Sequence, residues 1–439
     1  MGKSYRSYLP DQEFLLPPSL RDWLPENHLV YFVSDVIDNL NLSAMDAVYG
    51  DEPRGQPPYD PRMMTKLLVY GCCVGVFSSR RLQQRLAEDI AFRVLAAGHA
   101  PNFRTISDFR KIHLATLEGL FEQVLQMALQ AGAMKLGRVS LGGTKVKANA
   151  SKHKAMSYDR MKEKERQIRA EVRELLAQAE AADTEEDALY GAAQRGDELP
   201  EELPRRETRL QKIREAKQAL EERARQTAKK DGKPVGEVKQ VKPADKDQYN
   251  FTDPESRIMM GSDGIVQGYN AQAAVEPALQ WIVGQSVTPA ANDKEPIEPM
   301  VQVIEQQSGQ RPDRLLADSG YCSEKNLEHL ETGDQRGHKI DAYIATGKQK
   351  HGEHRQPCPR GPLPQPATRV ERMKRKLQTK AGRAVYAARK TMVEPVFGQI
   401  KQARGFRQFL LRGLVKVRGE WALVCLSHNI LKLHRLSYE

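Results

Sequence analysis

Two acidic residues in this sequence lie in surroundings that suit metal-dependent chemistry. Asp318 follows the apolar segment RLLA, which predicts a buried strand, and it precedes Ser-Gly-Tyr. Glu394 is the only acid between Glu371 and Glu420, and apolar residues surround it in a segment that predicts a helix. Mg²⁺ prefers oxygen ligands, and phosphoryl transfer on DNA commonly uses two such ions held by carboxylates from separate elements. These two residues are therefore the first candidates for a metal site.

Each of these acids also has a structural explanation. An aspartate often begins the turn that follows a strand. A glutamate on the buried side of a basic helix needs a cationic partner or a metal, so Glu394 could equally form an ion pair with Lys390 or Arg389. The local sequence leaves both interpretations open.

The positive charge of the chain is concentrated towards its C-terminal end. The net charge of the whole chain is +11. Between Arg369 and Arg418 fifteen Lys and Arg residues stand against two acids, a net charge of +13, so the rest of the chain carries −2. Charge concentrated in this way indicates a polyanionic partner, and we expect double-stranded DNA.

Several other classes of function are disfavoured. The sequence contains no GxxxxGK[ST] motif, so no nucleotide cofactor is expected. The longest apolar run, residues 67–77, is far shorter than the roughly 20 residues of a membrane span, so no membrane partner is expected. Five cysteines without a CxxC pair favour a reducing cytoplasm. His351, His354 and Cys358 lie close together in sequence but lack a fourth ligand for zinc.

Residues 1–135 predict a helical domain. The predicted helix starts are Leu29, Asp60-Pro61, Ser78 or Ser79, and a variant capping box at Thr105. Basic side chains that we expect to be exposed, Arg110 and Lys111 among them, suit a helix-turn-helix-like DNA-binding module. A helical bundle with a solvated basic face is the alternative for this region.

The rest of the chain alternates predicted strands and helices, which indicates an α/β domain with a mixed sheet flanked by helices. We expect its first part in residues 136–156 and its remainder, with basic C-terminal helices, in residues 246–439. Residues 157–245 predict an inserted antiparallel helical hairpin and a loop, because two long segments carry apolar residues on one helix face. The tip of this hairpin, residues 191–204, is rich in Gly and Pro, and we expect it to be mobile.

Several long motifs resemble bacterial insertion-sequence transposases of the DDE superfamily. They are TKVKANASKHKAMSY, QYNFTDPESRIM, YNAQAAV, ADSGYCSEKN and VEPVFGQIKQARGFRQFLLRG. The resemblance implies an RNase H-like catalytic domain with an Asp–Asp–Glu triad that binds two Mg²⁺ or Mn²⁺ ions. It also implies cleavage and joining of DNA at element ends, a homodimer on DNA, and a place in the bacterial cytoplasm at the nucleoid.

The resemblance assigns roles to individual residues. Asp318 corresponds to the second aspartate of the triad and Glu394 to its glutamate, which makes both of them expected metal ligands. The Tyr–Arg–Glu–Lys signature of the family corresponds to Tyr386, Arg389, Glu394 and Lys401, with Lys390 as an alternative to Arg389 because the spacing is one residue longer than usual. The residues expected to contact DNA are Tyr386, Arg389, Lys390, Lys401, Arg404, Arg407, Arg110 and Lys111.

The first aspartate of the triad is missing. The strand that carries it in related sequences reads Leu-Asp-Gly-Thr, whereas this chain has Leu141-Gly142-Gly143-Thr144. We therefore expect a protein that folds and binds DNA but has impaired catalysis. Rescue by another acid, Asp263, is one alternative. A non-catalytic DNA-binding protein or repressor derived from a transposase is another, and an RNase H-like nuclease without strand transfer is disfavoured by the matching N- and C-terminal regions.

Overall fold

The computed structural model describes most of the chain. The described residues are 19–49, 57–190, 202–230, 234, 238, 241–261, 264–290, 297–333, 337–347, 358–363 and 365–437; within them the side chains of residues 178–190, 202–203, 230 and 390 are not described. Most of the predicted hairpin tip, together with Asp263, His351 and His354, lies outside the described residues.

The N-terminal region is helical, as the sequence predicts. Its α-helices are α1 Leu29–Asp38, α2 Ser43–Asp46, α3 Pro61–Cys73, α4 Ser79–Glu88, α5 Ile90–Leu95, α6 Phe103–Ile112 and α7 Leu114–Gln130. The Asp60 side chain accepts hydrogen bonds from the first turn of α3, and Ser78 caps α4. The capping box predicted at Thr105 is wrong, because the Asn102 side chain accepts from the backbone N–H groups of Arg104 and Thr105 and starts the helix earlier.

A six-stranded mixed sheet forms the second part of the fold. Its strands are β1 Arg138–Lys147, β4 Arg257–Gly261, β5 Gly264–Val275, β6 Ile282–Thr288, β7 Arg314–Ala317 and β8 Asp341–Ile344. The order is β4-β5-β1-β7-β8, with β6 also paired to β5. Strand β1 is antiparallel to β5 and parallel to β7. This mixed α/β architecture confirms the predicted fold class and is consistent with an RNase H-like fold. Two short strands, β2 Ala155–Ser157 and β3 Gln248–Asn250, pair separately.

The helices α8 Tyr158–Tyr190 and α9 Glu202–Lys230 occupy the region predicted as an inserted hairpin. Glu165 pairs with Lys217 at 2.6 Å and Glu171 pairs with Arg206 at 2.8 Å, so the two helices run antiparallel. The helices share a small apolar cluster of their own, separate from the main core: Tyr158, Met161, Ile168, Leu210, Ile213, Ala216 and Leu220.

Six further helices complete the described fold. They are α10 Ile297–Ser308, α11 Glu324–Thr332, α12 Arg369–Gln378, α13 Lys380–Ala387, α14 Arg389–Gly398, which continues into a π-helical turn Gln399–Ala403, and α15 Leu414–Leu436. Helix α15 packs against α3, α7 and β6, and one continuous core runs from Val30 to Ile430. The N-terminal helices and the sheet are therefore joined through the last helix. Within the described residues, no helix is both long enough and apolar enough to span a membrane.

The contact between α15 and α7 depends on a glycine. A Cβ atom on Gly419 would lie 2.1 Å from Leu114 Cδ2, whereas a Cβ atom on Gly119 of α7 would have no atom within 4 Å. We expect Gly419→Ala to lower the thermal midpoint of unfolding, because overpacking costs roughly 1–3 kcal/mol and exceeds the gain in helix propensity of about 1 kcal/mol. The matched variant Gly119→Ala should raise the midpoint. Thermal unfolding of both variants measures this, and a shift of the same sign in both would contradict it.

Candidate functional site

Gly142 lies on β1, and Asp318 directly follows the end of the neighbouring strand β7. Residues 138–140 of β1 pair in parallel register with residues 314–316 of β7. The same register, continued by two residues, places position 142 next to position 318. Neighbours in register on adjacent strands project to the same face of a sheet. Continued in this way, the register brings Gly142 close to Asp318, on the same face of the sheet.

Helix α14 covers this face. Its Arg389 donates to Asp318 Oδ2 at 3.4 Å, and its Val393 lies directly over Gly142. A Cβ atom on Gly142 would be 2.4 Å from Val393 Cγ1 and 3.4 Å from Phe397 Cε2. Residues 389, 393 and 397 are spaced by four and share one helix face. The helix that carries Glu394 thus packs on β1 and β5 and reaches Asp318 just beyond the end of β7.

Asp318 has two partners within the protein. One carboxylate oxygen accepts from the Gly320 backbone N–H at 2.9 Å and caps the short 3₁₀ turn Ser319–Tyr321. The other faces Arg389, whose side chain is 15% exposed while that of Asp318 is 32% exposed. Asp318 therefore has the turn-forming role that the sequence left open, and its carboxylate also faces Arg389 of α14.

Glu394 is exposed, which differs from the buried position expected from its apolar neighbours. Met392, Val393 and Val396 are buried, but successive helical residues are rotated by about 100°, so Glu394 turns away from them towards solvent. The expected cost of burying its charge therefore does not arise. Arg389, one of the two partners considered for Glu394, pairs with Asp318 instead.

The pKa of Tyr386 is raised by burial and by the charges of both Asp318 and Glu394. It lies at the end of α13 and is half-buried. Burial raises the pKa of its phenol, and the nearby charges of Asp318 and Glu394 raise it further, whereas Arg389 lowers it. Tyr386, Arg389, Asp318 and Glu394 consequently belong to one electrostatic neighbourhood beside the Gly142 position.

Gln280 was missed in the sequence analysis, although it helps to position α14. Pro395 has no N–H, so the Thr391 carbonyl four residues earlier lacks its helical donor. The Gln280 side-chain amide donates to this carbonyl at 3.1 Å, and its oxygen accepts from Gln399 at 3.0 Å. Pro395, directly after Glu394, was the sequence signal that a helix carbonyl would lack its donor. The sequence did not show that Gln280, in a distant turn, would supply that donor.

His428 of α15 holds the backbone of the same turn. Its Nε2 lies 2.9 Å from the Gln280 carbonyl oxygen, and the ring is buried. Burial lowers the pKa of His428 to about 3, with Arg404 and Lys432 acting in the same direction and the hydrogen bond to Gln280 against it. The imidazole is therefore neutral near pH 7 and donates to the carbonyl.

Lys401 lies on the π-helical turn and contacts β1. Its ammonium donates to Thr144 Oγ1 and to the Lys145 carbonyl, each at 2.8 Å. Thr144 follows Gly142 by two residues and so lies on the same face of the sheet. The lysine predicted to contact DNA thus also fastens the end of α14 to the strand.

Two of the arginines expected to contact DNA are buried. Arg110 donates to the Phe77 carbonyl at 3.0 Å, and Arg404 donates to Ser427 Oγ at 2.6 Å and to the Val424 carbonyl at 3.2 Å. Burial lowers the pKa of Arg404. The exposure expected for both is corrected, because their guanidinium groups bind the protein's own oxygen atoms.

The other basic residues differ from these two. Lys111 is exposed and pairs with Asp108 at 2.9 Å, and Arg407 is exposed and hydrogen-bonds Gln402. The side chain of Lys390 is outside the described part. The exposed members remain accessible to a phosphate backbone.

The residues present do not fit a pair of divalent cations. Asp318 is paired with Arg389, Glu394 is exposed, and position 142 has no side chain and is covered by Val393. In the part of the chain that the structure describes, no group of three His, Cys, Asp or Glu side chains is arranged to hold a metal ion.

Two family models match the chain. Residues 18–112 match the Transposase domain (DUF772), and residues 363–434 match the Transposase DDE domain. No curated protein and no solved structure matches the chain significantly. The first match covers most of the described N-terminal helices, and the second covers the segment with Arg389, Glu394 and Lys401. Both matches are to transposase domains, and they support a relationship of this chain to the DDE transposases of insertion sequences.

The buried and exposed arginines should respond differently to substitution. We expect Arg404→Ala to destabilise the fold by roughly 2–4 kcal/mol, because it leaves buried carbonyl and hydroxyl groups without their donor. Arg407→Ala should change stability by less than about 0.5 kcal/mol and should instead weaken DNA binding, with the salt slope reduced by about 1. Unfolding curves and salt-dependent fluorescence anisotropy on DNA measure the two effects. Equal destabilisation by both substitutions would refute this division.

His428 should make the fold sensitive to acid. Because its pKa is about 3 in the folded chain and 6.5 ordinarily, the unfolded chain takes up a proton first, and stability present above pH 6.5 is lost as the pH falls below it. Between pH 7.5 and pH 5 this residue should cost about 2 kcal/mol. His428→Gln retains an amide donor but does not titrate. Over the same pH range, its free energy of unfolding in urea should therefore fall by about 2 kcal/mol less than that of the native chain. Parallel pH profiles for the two proteins would contradict this assignment.

Proposed function

We propose that this chain is an insertion-sequence transposase that binds double-stranded DNA at element ends but is impaired in cutting it. The observation that carries the proposal is the place of Gly142. The helix that carries Glu394 covers Gly142, and the β1–β7 register, continued by two residues, leads to Asp318, so a carboxylate at position 142 would be the third member of the proposed triad. A glycine there supplies no oxygen ligand.

The chemical consequence follows from the number of ligands. An intact site of this class would hold two Mg²⁺ or Mn²⁺ ions, which activate the attacking oxygen and stabilise the leaving oxygen. With Asp318 and Glu394 alone, one negative charge and its oxygen ligands are lost. Removing one essential member of a catalytic group costs several orders of magnitude in rate, so we expect little or no cleavage.

Binding to DNA does not depend on the missing carboxylate. The excess positive charge lies between residues 369 and 418 and includes exposed residues such as Arg407. Contacts to phosphates release counterions, so the affinity for element ends should fall steeply with salt. Since two ends must be held together, we propose that the chain acts as a homodimer on DNA, in the bacterial cytoplasm at the nucleoid.

A second function is consistent with the same site. A chain that occupies element ends without cutting them would act as a repressor of an active transposase. The same position 142, with a glycine in place of an aspartate, favours this alternative.

One experiment tests whether the chain binds element ends and whether it cleaves them. The full chain is incubated with labelled duplexes that carry the element ends, with Mg²⁺ or Mn²⁺, alongside Asp318→Asn. We expect both proteins to bind the ends with similar affinity and neither to nick or join them above background. Cleavage by the native chain that Asp318→Asn abolishes would disprove the impairment and support the metal-ligand role of Asp318. Failure of both proteins to prefer end sequences over random duplex would refute the binding proposal.

A further inference from the structure

Val393 fills the space that a side chain at position 142 would need. A Cβ atom there would lie 2.4 Å from Val393 Cγ1, well inside the 3.0 Å below which neighbouring atoms must shift. The obstructing atom belongs to a β-branched side chain, and valine in a helix strongly prefers one χ1 rotamer. Val393 is also only 2% exposed, so surrounding atoms oppose its rotation.

The helix itself is held against the sheet near both ends. Arg389 binds Asp318 at one end, and Lys401 binds Thr144 and the Lys145 carbonyl beyond the other. In between, Gln280 binds the Thr391 carbonyl, and Phe397 stacks on Trp421 with ring centroids 6.4 Å apart. A new side chain at position 142 therefore cannot be accommodated by a small displacement of the helix without breaking these contacts.

We propose that Gly142 and Val393 form a coupled pair. The packing of α14 on β1 prevents the first triad aspartate from being restored at position 142 unless Val393 changes as well. Substituting aspartate at position 142 alone does not rebuild a metal site, because Val393 occupies its place. Shortening Val393 at the same time opens the space. The part of this inference that concerns metal rests on the proposed function, whereas the packing part does not.

The geometry of the opened site would suit a cation. Position 142 and Asp318 are neighbours on one face, so a carboxylate introduced at 142 would stand beside that of Asp318. Two carboxylates placed together repel each other, and a divalent cation relieves that repulsion. Arg389, which pairs with Asp318, would compete with the cation for the same oxygen.

The packing is tested by a double-mutant cycle that needs no metal. Gly142→Ala should lower the thermal midpoint of the full chain by several degrees when Val393 is present, and by much less in the Val393→Ala background. Gly398→Ala serves as the matched control, because a Cβ atom there meets no atom within 4 Å, and its effect should be the same in both backgrounds. Additive effects of Gly142→Ala and Val393→Ala would overturn the proposal.

The metal site is tested by titration with Mn²⁺. We compare the native chain, Gly142→Asp, the double variant Gly142→Asp with Val393→Ala, and the uncharged double variant Gly142→Asn with Val393→Ala. The Asp double variant should bind Mn²⁺ at least about tenfold more tightly than the other three, which is about 1.4 kcal/mol. Equally tight binding by Gly142→Asp alone would overturn the coupled-pair proposal. Coupling in the stability cycle without any gain in Mn²⁺ affinity would support the packing and refute position 142 as a metal-ligand position in the proposed function.

Discussion

The arrangement of the candidate site depends on one packing contact, that of helix α14 against strands β1 and β5. Val393 lies on Gly142, and Arg389 reaches the carboxylate of Asp318 from the same helix face. The contact sets the direction of Glu394, because its side chain is fixed relative to theirs by the helical rotation. It also sets the path of the chain beyond α14, where the π-helical turn brings Lys401 to Thr144. A change in the distance between helix and strand would therefore move the candidate carboxylate and the basic segment together.

The basic C-terminal segment serves two purposes that charge alone does not distinguish. Arg404, directly after the π-helical turn, binds oxygen atoms of α15 and so joins the two elements, while Arg407, three residues later, is exposed. A guanidinium group provides five donors in a fixed geometry, so it can satisfy several buried acceptors as readily as it can bind a phosphate. Part of the net charge of +13 therefore stabilises the fold. The positive charge available to bind DNA is smaller than that number suggests.

The parts of the structure with local signals were predictable from sequence. The starts of α3 and α4 follow from Asp60-Pro61 and Ser78, since each side chain caps the helix that it precedes. The strand before Asp318 follows from its apolar residues. The directions of side chains were harder to predict, because they depend on distant contacts. Glu394 was expected on the buried side of its helix. The orientation of α14 is instead set by the contacts of Arg389 with Asp318 and of Val393 with Gly142, and both partners lie far away in sequence.

Gly142 has a different meaning in the folded chain than in the sequence. In the sequence it is only an aspartate lost from a triad. In the structure it allows a helix to approach a strand closely, and Val393 and Phe397 gain apolar contact that a carboxylate would exclude. Three carboxylates gathered at one sheet face repel one another unless cations bind, and apolar contact that replaces buried charge is often neutral or stabilising. Folding stability therefore favours the glycine, and the packing of Val393 opposes an aspartate at position 142.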